Sequence, residues 1–577
     1  MDIKVKKRNG RLEDFHVDKI NASAQRACVD VGEVSWSEIV LDAQLQLFDK
    51  ITTAEIDKAL ILSAREKIEK EPNYSYAAAR LLLNCLYKEV FKEGVDSDAF
   101  ELQYRKSFIQ NTKHLVEAGR LDKRLLSFDL KKLSEGLVLT NDLKFKYLGI
   151  QTLTDRYFIR EDDKITEAPQ CFWMRVAMGL AINEKEKDER ALEFYNLMSG
   201  LLYTPSTPTL FNSGTTHSQL SSCYLNTFDD SIDGIFDGAW QEARKSKFAG
   251  GLGLDVTPFR STGSYIKGTN GISSGLVPWL KIYNDLLIAV NQGGKRPGAG
   301  CAYLEPWHLD YEDFLHLRRN TGDDRLRCHD LNTASWIPDI FMRRVKEEAD
   351  WYFLDPHECP DLHDSFGAEF DKKYEAYCKK AIAGKIKSFR VTPAKDLWKK
   401  MLKVLFETSH PWNTFKDPCN IRYTNQHEGV VHSSNLCTEI TLHTKASSYS
   451  SGTKTSIGET AVCNLGSINL VNHLHEIYTK DGDLKGVDIC FSQLEDTIKV
   501  AVRMLDNVID LNFYPTAEAK NANLRHRPVG LGLMGLHDVL HRMNIPIDSD
   551  KAVAFNDQLF QHYSHTAILA SSHLAEE

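Results

Sequence analysis

From Ser221 onward the sequence alternates short strand-like runs with Gly-rich loops and intervening helical stretches, and this rhythm calls for an α/β domain. The preceding residues have a different texture. Residues 1 to about 95 open with two strand-like pieces around Asn9-Gly10, a strong hairpin signal, and continue into amphipathic helices. There, Val17 to Ile20 lead into a helix, Thr52-Thr53-Ala54-Glu55 has the capping-box pattern, and Tyr74 to Lys92 reads as a further apolar-rich helix. Residues 96 to about 220 carry helical periodicity, and the charged stretch Asn183 to Arg190 reads as a solvated face or connection. The expected division is therefore 1–95, 96–220 and 221–577. Within the last part, the polar segment Thr444 to Thr460 is expected to be an exposed excursion between two strands.

Several function classes drop out on composition. No run approaches the roughly 18 apolar residues of a membrane span, and the basic N-terminus lacks the apolar stretch of a secretory signal, so a cytoplasmic protein is expected. With 71 Lys+Arg against 80 Asp+Glu, the net charge of −9 has the wrong sign for wrapping a nucleic acid. The twelve cysteines are scattered, without the C-x2-C spacing of a zinc knuckle.

Chemistry is concentrated in Ser434-Asn435-Leu436-Cys437-Thr438-Glu439-Ile440. If this stretch is extended, Asn435, Cys437 and Glu439 share one face. An amide, a thiol and a carboxylate would then lie within reach of one ligand. The plain alternative is a strand with a polar solvent face. Cys463 follows the polar excursion, and a returning strand could bring it near Cys437; Cys223 follows the Thr204 to Thr216 loop, whose hydroxyls and backbone N–H groups suit a phosphate. Taken singly, each cysteine is better explained as inert core than as a functional group.

Taken jointly, the ordered blocks Thr207-Pro208-Thr209-Leu210-Phe211-Asn212, Ser221-Ser222-Cys223, Gly263 to Gly271, Gln292 to Ala299, Glu305-Pro306-Trp307-His308-Leu309, Ser434 to Ile440, Val462 to Leu465 and Arg525 to Gly532 resemble the catalytic large subunit of class I ribonucleotide reductases. The resemblance implies an N-terminal ATP-cone, a helical domain and a ten-stranded α/β barrel, here incomplete. It implies that Cys437, at a loop tip, becomes a thiyl radical and abstracts the 3′ hydrogen of a ribonucleotide. Glu439 would take the 3′ hydroxyl proton, and Asn435 would hydrogen-bond the substrate, with Thr207 and Ser222 as further contacts. Cys223 and Cys463 would protonate the departing 2′ hydroxyl and supply two electrons by forming a disulfide.

The resemblance also implies two effector sites for ATP, dATP and other deoxynucleoside triphosphates. Lys7, Arg8, Glu13, Lys19, Thr53, Asp57 and Lys88 match the ATP-cone contacts. Asp230, Ser231, Ile232, Lys247, Arg260, Lys267 and Gly268 match a specificity site at a homodimer interface, and Gln292 to Arg296 match the loop that relays effector identity. Further implied partners are a radical-generating small subunit, which would hold the metallocofactor, and a thioredoxin- or glutaredoxin-type reductant. No metal is expected in this chain. The family's later segment, with its paired tyrosines and terminal cysteine pair, has no counterpart here, so a complementing C-terminal polypeptide is expected. The competing expectations are an inactive nucleotide-binding regulatory or interaction protein derived from the family, and a relative that makes its radical with adenosylcobalamin.

Overall fold

Residues 4–92, 95, 98–248, 250–290, 298–479, 481 and 483–577 are described by a computed structural model. The chain divides into two units, one of Met1–Ser218, Gly466–Asn507 and Leu531–Glu577, the other of Gln219–Leu465 and Val508–Gly530.

In the first unit, Gly10 at φ +84 closes the turn between β1 (Lys4–Lys6) and β2 (Leu12–Asp14), which pair antiparallel. Helices α1 (Val17–Cys28) and α2 (Trp36–Gln44) follow, then β3 (Ile51–Thr52), which adds parallel to β1. The capping box opens α3 (Thr53–Glu66): Thr52 Oγ1 accepts from Glu55 N at 3.2 Å, and the Glu55 carboxylate accepts from Thr52 N at 2.8 Å. With α4 (Tyr74–Val90), these elements close a core of Val5, Ile20, Ile39, Ile51, Leu60 and Ala77, all within the first 95 residues. The helical part that follows includes α5 (Phe100–Glu117), α6 (Pro169–Ala181) and α7 (Lys187–Ser199); every residue of α6 is buried, as expected for a helix packed on all sides. Later in the chain, strand Leu465–Asn469 lies between Tyr203–Pro205 and Gly530–Met534. Helix Asp550–Glu576 buries Phe555, Leu559, Tyr563 and Ala570.

The second unit is built on a six-stranded sheet. Five strands, β4 (Cys223–Thr227), β5 (Gly251–Asp255), β6 (Gly300–Leu304), β7 (Asn332–Ile337) and β8 (Trp412–Phe415), run parallel in sequence order. On the far side of β4 the antiparallel strand β9 (Ala461–Cys463) completes the order β8-β7-β6-β5-β4-β9. Helix α8 (Ile232–Lys247) connects β4 to β5. Both faces of the central strands are covered, which explains their near-continuous burial. One face, with Leu252, Leu254, Ala302 and Leu304, joins the large core. The other carries Cys301, Tyr303, Ala334 and Trp336, which pack against Val431 and Leu436.

Thr444 to Thr460 differ from expectation. They form a small hairpin, Ser448–Ser450 with Thr453–Ser456, but the segment before it has no strand, and Thr444, Ser447, Glu459 and Thr460 at its base are buried. Among the described residues, no helix is long and apolar enough to cross a membrane.

Candidate active site

Two cysteines meet at the edge of the parallel sheet. Cys223, the first residue of β4, lies directly opposite Cys463, the last of β9, and Ser222 N donates to the Cys463 carbonyl at 3.2 Å. Residues directly opposite in an antiparallel pair have Cα atoms about 4.5–5.5 Å apart, within reach of a disulfide. Both are free thiols here. Burial, reinforced by Cys223, pushes the Cys463 thiol well above its usual range, so it holds its proton.

The stretch carrying Cys437 is not an extended strand, and the same-face argument therefore does not apply. Asn435 to Ile440 form a tight turn with Thr438 at φ +68. The turn is held from within: Asn435 Oδ1 accepts from Glu439 N and Ile440 N, each at 3.1 Å. An amide side chain that caps following N–H groups competes directly with strand pairing. The turn's root is gripped by the sheet, because the Tyr303 hydroxyl donates to the Asn435 carbonyl at 2.6 Å, and Gly253 allows Ser434 and Asn435 to approach β5 backbone to backbone. From this root, Asn435 Nδ2 donates to Cys223 Sγ at 3.1 Å. Asn435 is fully buried, whereas Cys437 and Glu439 at the tip are exposed.

Partial burial, then the Glu439 carboxylate and Cys223, raise the Cys437 thiol above its ordinary value. It is therefore a protonated S–H at neutral pH rather than a thiolate. Ser222 Oγ is buried without a hydrogen-bond partner among the described residues, leaving a hydroxyl to engage a ligand. Thr207 belongs to the first unit, where it starts helix Thr207–Asn212 and shares a 3.0 Å hydrogen bond with the Tyr157 hydroxyl.

The seven residues expected in the ATP-cone all line one cavity of about 630 Å³, a size suited to a small organic ligand. Four of its cations are paired with carboxylates: Lys88 Nζ lies 3.1 Å from Asp57 Oδ2 and Arg8 lies 3.7 Å from the same atom, while Lys7 and Lys19 reach Glu13 at 3.6 and 3.2 Å. Thr53 enters the cavity from the first turn of α3, and Phe15, Ile20, Ile56 and Leu60 supply an apolar wall.

Of the second effector set, Asp230 and Arg260 form an ion pair at 2.8 Å. Ser231 caps α8 by accepting from Gly234 N at 3.0 Å. Ile232 begins the helix, and Lys267 and Gly268 sit in the turn after strand Tyr265–Ile266. Lys247 is not brought together with them, since it ends α8, roughly 22 Å along the axis from Ile232 at 1.5 Å per residue. Gln292 to Arg296 lie outside the described residues.

One constellation escaped the reading of the sequence. Asp255, His363 and His432 are buried together, and His363 is held between two carboxylates, with Nε2 2.8 Å from Asp255 and Nδ1 3.0 Å from Glu305. Glu305 also takes the fully buried Lys416 ammonium at 2.8 Å. Burial opposes a charged imidazole, but Asp255 and Glu305 outweigh it and push His363 up to about 10. His432, stacked on His363 with ring centroids 4.3 Å apart, is held neutral by burial and the neighbouring His363 charge. Nothing in the local spacing announces this cluster. Asp255 ends β5, Glu305 and Lys416 follow β6 and β8, His363 lies in the loop before helix Gly367–Ile382, and His432 precedes the Cys437 turn, so only the fold brings them together.

Comparison with known proteins finds matches over most of the chain. Residues 3–89 match the ATP cone domain, 143–218 the ribonucleotide reductase all-alpha domain, and 221–577 the ribonucleotide reductase barrel domain. The ribonucleoside-diphosphate reductase subunit alpha of Chlamydia muridarum is 49% identical over 560 residues, covering 96% of this chain and 51% of that protein. The Helicobacter pylori (strain J99) subunit alpha is 40% identical, covering 100% of this chain and 76% of its own length. The Danio rerio large subunit is 39% identical, covering 99% and 69%. The chain thus spans about half the length of the Chlamydia relative it matches.

Proposed function

This chain belongs to the ribonucleotide reductase large-subunit family, and from that premise we propose that it carries the centre at which ribonucleoside diphosphates are reduced to deoxyribonucleotides. The observation that carries the reading is the Cys223–Cys463 pair set directly opposite across two strands, with Asn435 bonded to Cys223 and Cys437 two residues further along the same turn.

In the proposed reaction, Cys437 is oxidised to a thiyl radical by an equivalent delivered from a separate radical-generating subunit. The thiyl takes the 3′ hydrogen, and Glu439 accepts the 3′ hydroxyl proton. The 2′ hydroxyl then leaves as water with a proton from the Cys223–Cys463 dithiol, whose two electrons reduce the sugar as the S–S bond forms. The second dithiol hydrogen goes to C2′, Glu439 returns its proton to O3′, and Cys437 returns its hydrogen to C3′, regenerating the thiyl. One ribonucleotide and one dithiol become one deoxyribonucleotide, one water and one disulfide, which an external thioredoxin- or glutaredoxin-type dithiol resets. The raised Cys437 and Cys463 thiols support these roles, because both must act as S–H groups. The activity is assigned to the enzyme in which residues 1–577 are combined with the further sequence of the longer relatives, in one polypeptide or two, within the cytoplasm.

A single turnover without external reductant is expected to leave one Cys223–Cys463 disulfide per chain, found by peptide mass spectrometry after alkylation of free thiols. Full alkylation of both residues after product has formed would refute the pairing.

Nucleotide control is assigned to the cone cavity and to the α8 surface. At the cavity, a triphosphate would exchange the Lys88 and Arg8 pairs with Asp57 for pairs with phosphate, the adenine lying on the apolar wall. Lys88→Met should lower ATP and dATP affinity by roughly 10- to 100-fold, the worth of a hydrogen bond between charged groups. Calorimetry on the whole chain is the check, and unchanged affinity for both nucleotides would remove Lys88 from the site. At α8, Ile232, Phe236 and Trp240 expose an i, i+4, i+8 apolar stripe. A homodimer pairing this face would let a second copy provide the Lys247 that one copy holds too far away.

A further inference from the structure

We infer that Asp255, His363 and His432 form a binding site for a divalent transition-metal ion of the zinc class, at the root of the turn that bears Cys437. One donor atom from each residue lies within 4.8 Å of the others, and all three residues are buried. Metal–ligand bonds of about 2.0–2.2 Å place tetrahedral donors about 3.4 Å apart, so modest side-chain rotations close the site.

The outer contacts match those of metal-bound histidines, each of which usually gives its second ring nitrogen to a carboxylate or carbonyl. His363 Nδ1 is 3.0 Å from Glu305 Oε1, and His432 Nε2 is 2.7 Å from Asp364 Oδ1. The two remaining nitrogens are His363 Nε2, 2.8 Å from Asp255 Oδ2, and His432 Nδ1, whose nearest polar neighbours are the Thr444 and Thr227 hydroxyls at 3.4 and 3.5 Å. Thr227 Oγ1 in turn donates to Asp255 Oδ2 at 2.9 Å, and Asp255 Oδ1 accepts from Thr257 N at 3.2 Å. The Thr227 and Thr444 hydroxyls also hydrogen-bond each other at 2.6 Å beside the cluster.

Charge points the same way. In the metal-free cluster the His363 imidazolium and Lys416 face Asp255, Glu305 and Asp364, leaving one negative charge, and a divalent cation that displaces the His363 proton brings the cluster to neutrality. Two imidazoles and a carboxylate suit zinc, cobalt or iron better than magnesium or calcium. The Asp364 side chain is 70% exposed, giving an entry path beside His432. His432 lies three residues before Asn435, and Asp255 ends the strand on which Gly253 meets the turn. A bound ion would therefore tie the root of the turn to β5.

The test uses the untagged full chain, stripped with chelator and titrated with zinc and cobalt. One ion per chain is expected, and the cobalt form should show visible d–d absorption without a thiolate-to-metal charge-transfer band. His432→Gln should abolish stoichiometric binding. Asp364→Asn, at an exposed position where folding is not at stake, should weaken binding by roughly 10- to 100-fold. Failure to bind one ion at micromolar metal, a thiolate-type cobalt spectrum, or unchanged affinity in Asp364→Asn would each overturn the assignment.

Discussion

Replacing Cys437 by serine should abolish nucleotide reduction while leaving effector binding intact. Serine keeps the size and a hydroxyl, but its O–H bond is much stronger than an S–H bond, so an equivalent able to oxidise Cys437 cannot make the alkoxyl radical. Cys437 is exposed at the tip of its turn and no hydrogen bond of the turn depends on its sulfur, so the folding cost should stay within about 0.5 kcal/mol. The Cys223–Cys463 pair remains in register, and an added oxidant should still join it. The measurement is deoxyribonucleotide formation by the complete enzyme with its radical-generating subunit, alongside calorimetry of ATP binding at the cone. Turnover at the unsubstituted rate would place the radical elsewhere. Loss of effector binding as well as activity would mean that the substitution damaged the fold.

Much of this was legible in the sequence because the signals were local. Asn9-Gly10 and the Thr52–Glu55 box act over two to four residues, and both appear as read. The ATP-cone, helical and barrel organisation expected from the ordered blocks is borne out by the family matches. What was not legible depended on contacts remote in sequence. Alternation along Asn435–Glu439 suggested a shared face, but Asn435 Oδ1 folds the backbone over itself and Thr438 takes a left-handed φ. The Thr444–Thr460 base is buried because Glu518 reaches it from a distant helix, with Ser447 Oγ at 3.1 Å. The Asp255–His363–His432 cluster joins residues 108 and 69 positions apart (363 minus 255, 432 minus 363), which no spacing rule detects.

Gly253 offers a test of the geometry that does not touch any reacting group. On β5 it faces the Cys437 turn, and a Cβ added there would lie 2.1 Å from the Ser434 carbonyl oxygen and 3.0 Å from Asn435 Cα. Both are backbone atoms, so no side chain can swing aside; either β5 or the root of the turn must shift. Overpacking of this kind costs about 1–3 kcal/mol, and displacement of a reacting group by about 1 Å can cost on the order of 100-fold in rate. Gly253→Ala should therefore yield a folded chain with normal ATP affinity at the cone and nucleotide reduction lowered about 100-fold, with the change in kcat rather than KM. Gly486→Ala serves as the control, because among the described residues nothing lies within 4 Å of the added methyl group. A chemical probe separates the two ways of relieving the clash. If the turn moves, alkylation of Cys437 changes rate while the Cys223–Cys463 disulfide still forms on oxidation; if β5 moves, the neighbouring β4 shifts with it and disulfide formation slows. Unchanged reduction by Gly253→Ala would show that this close approach does not position Cys437.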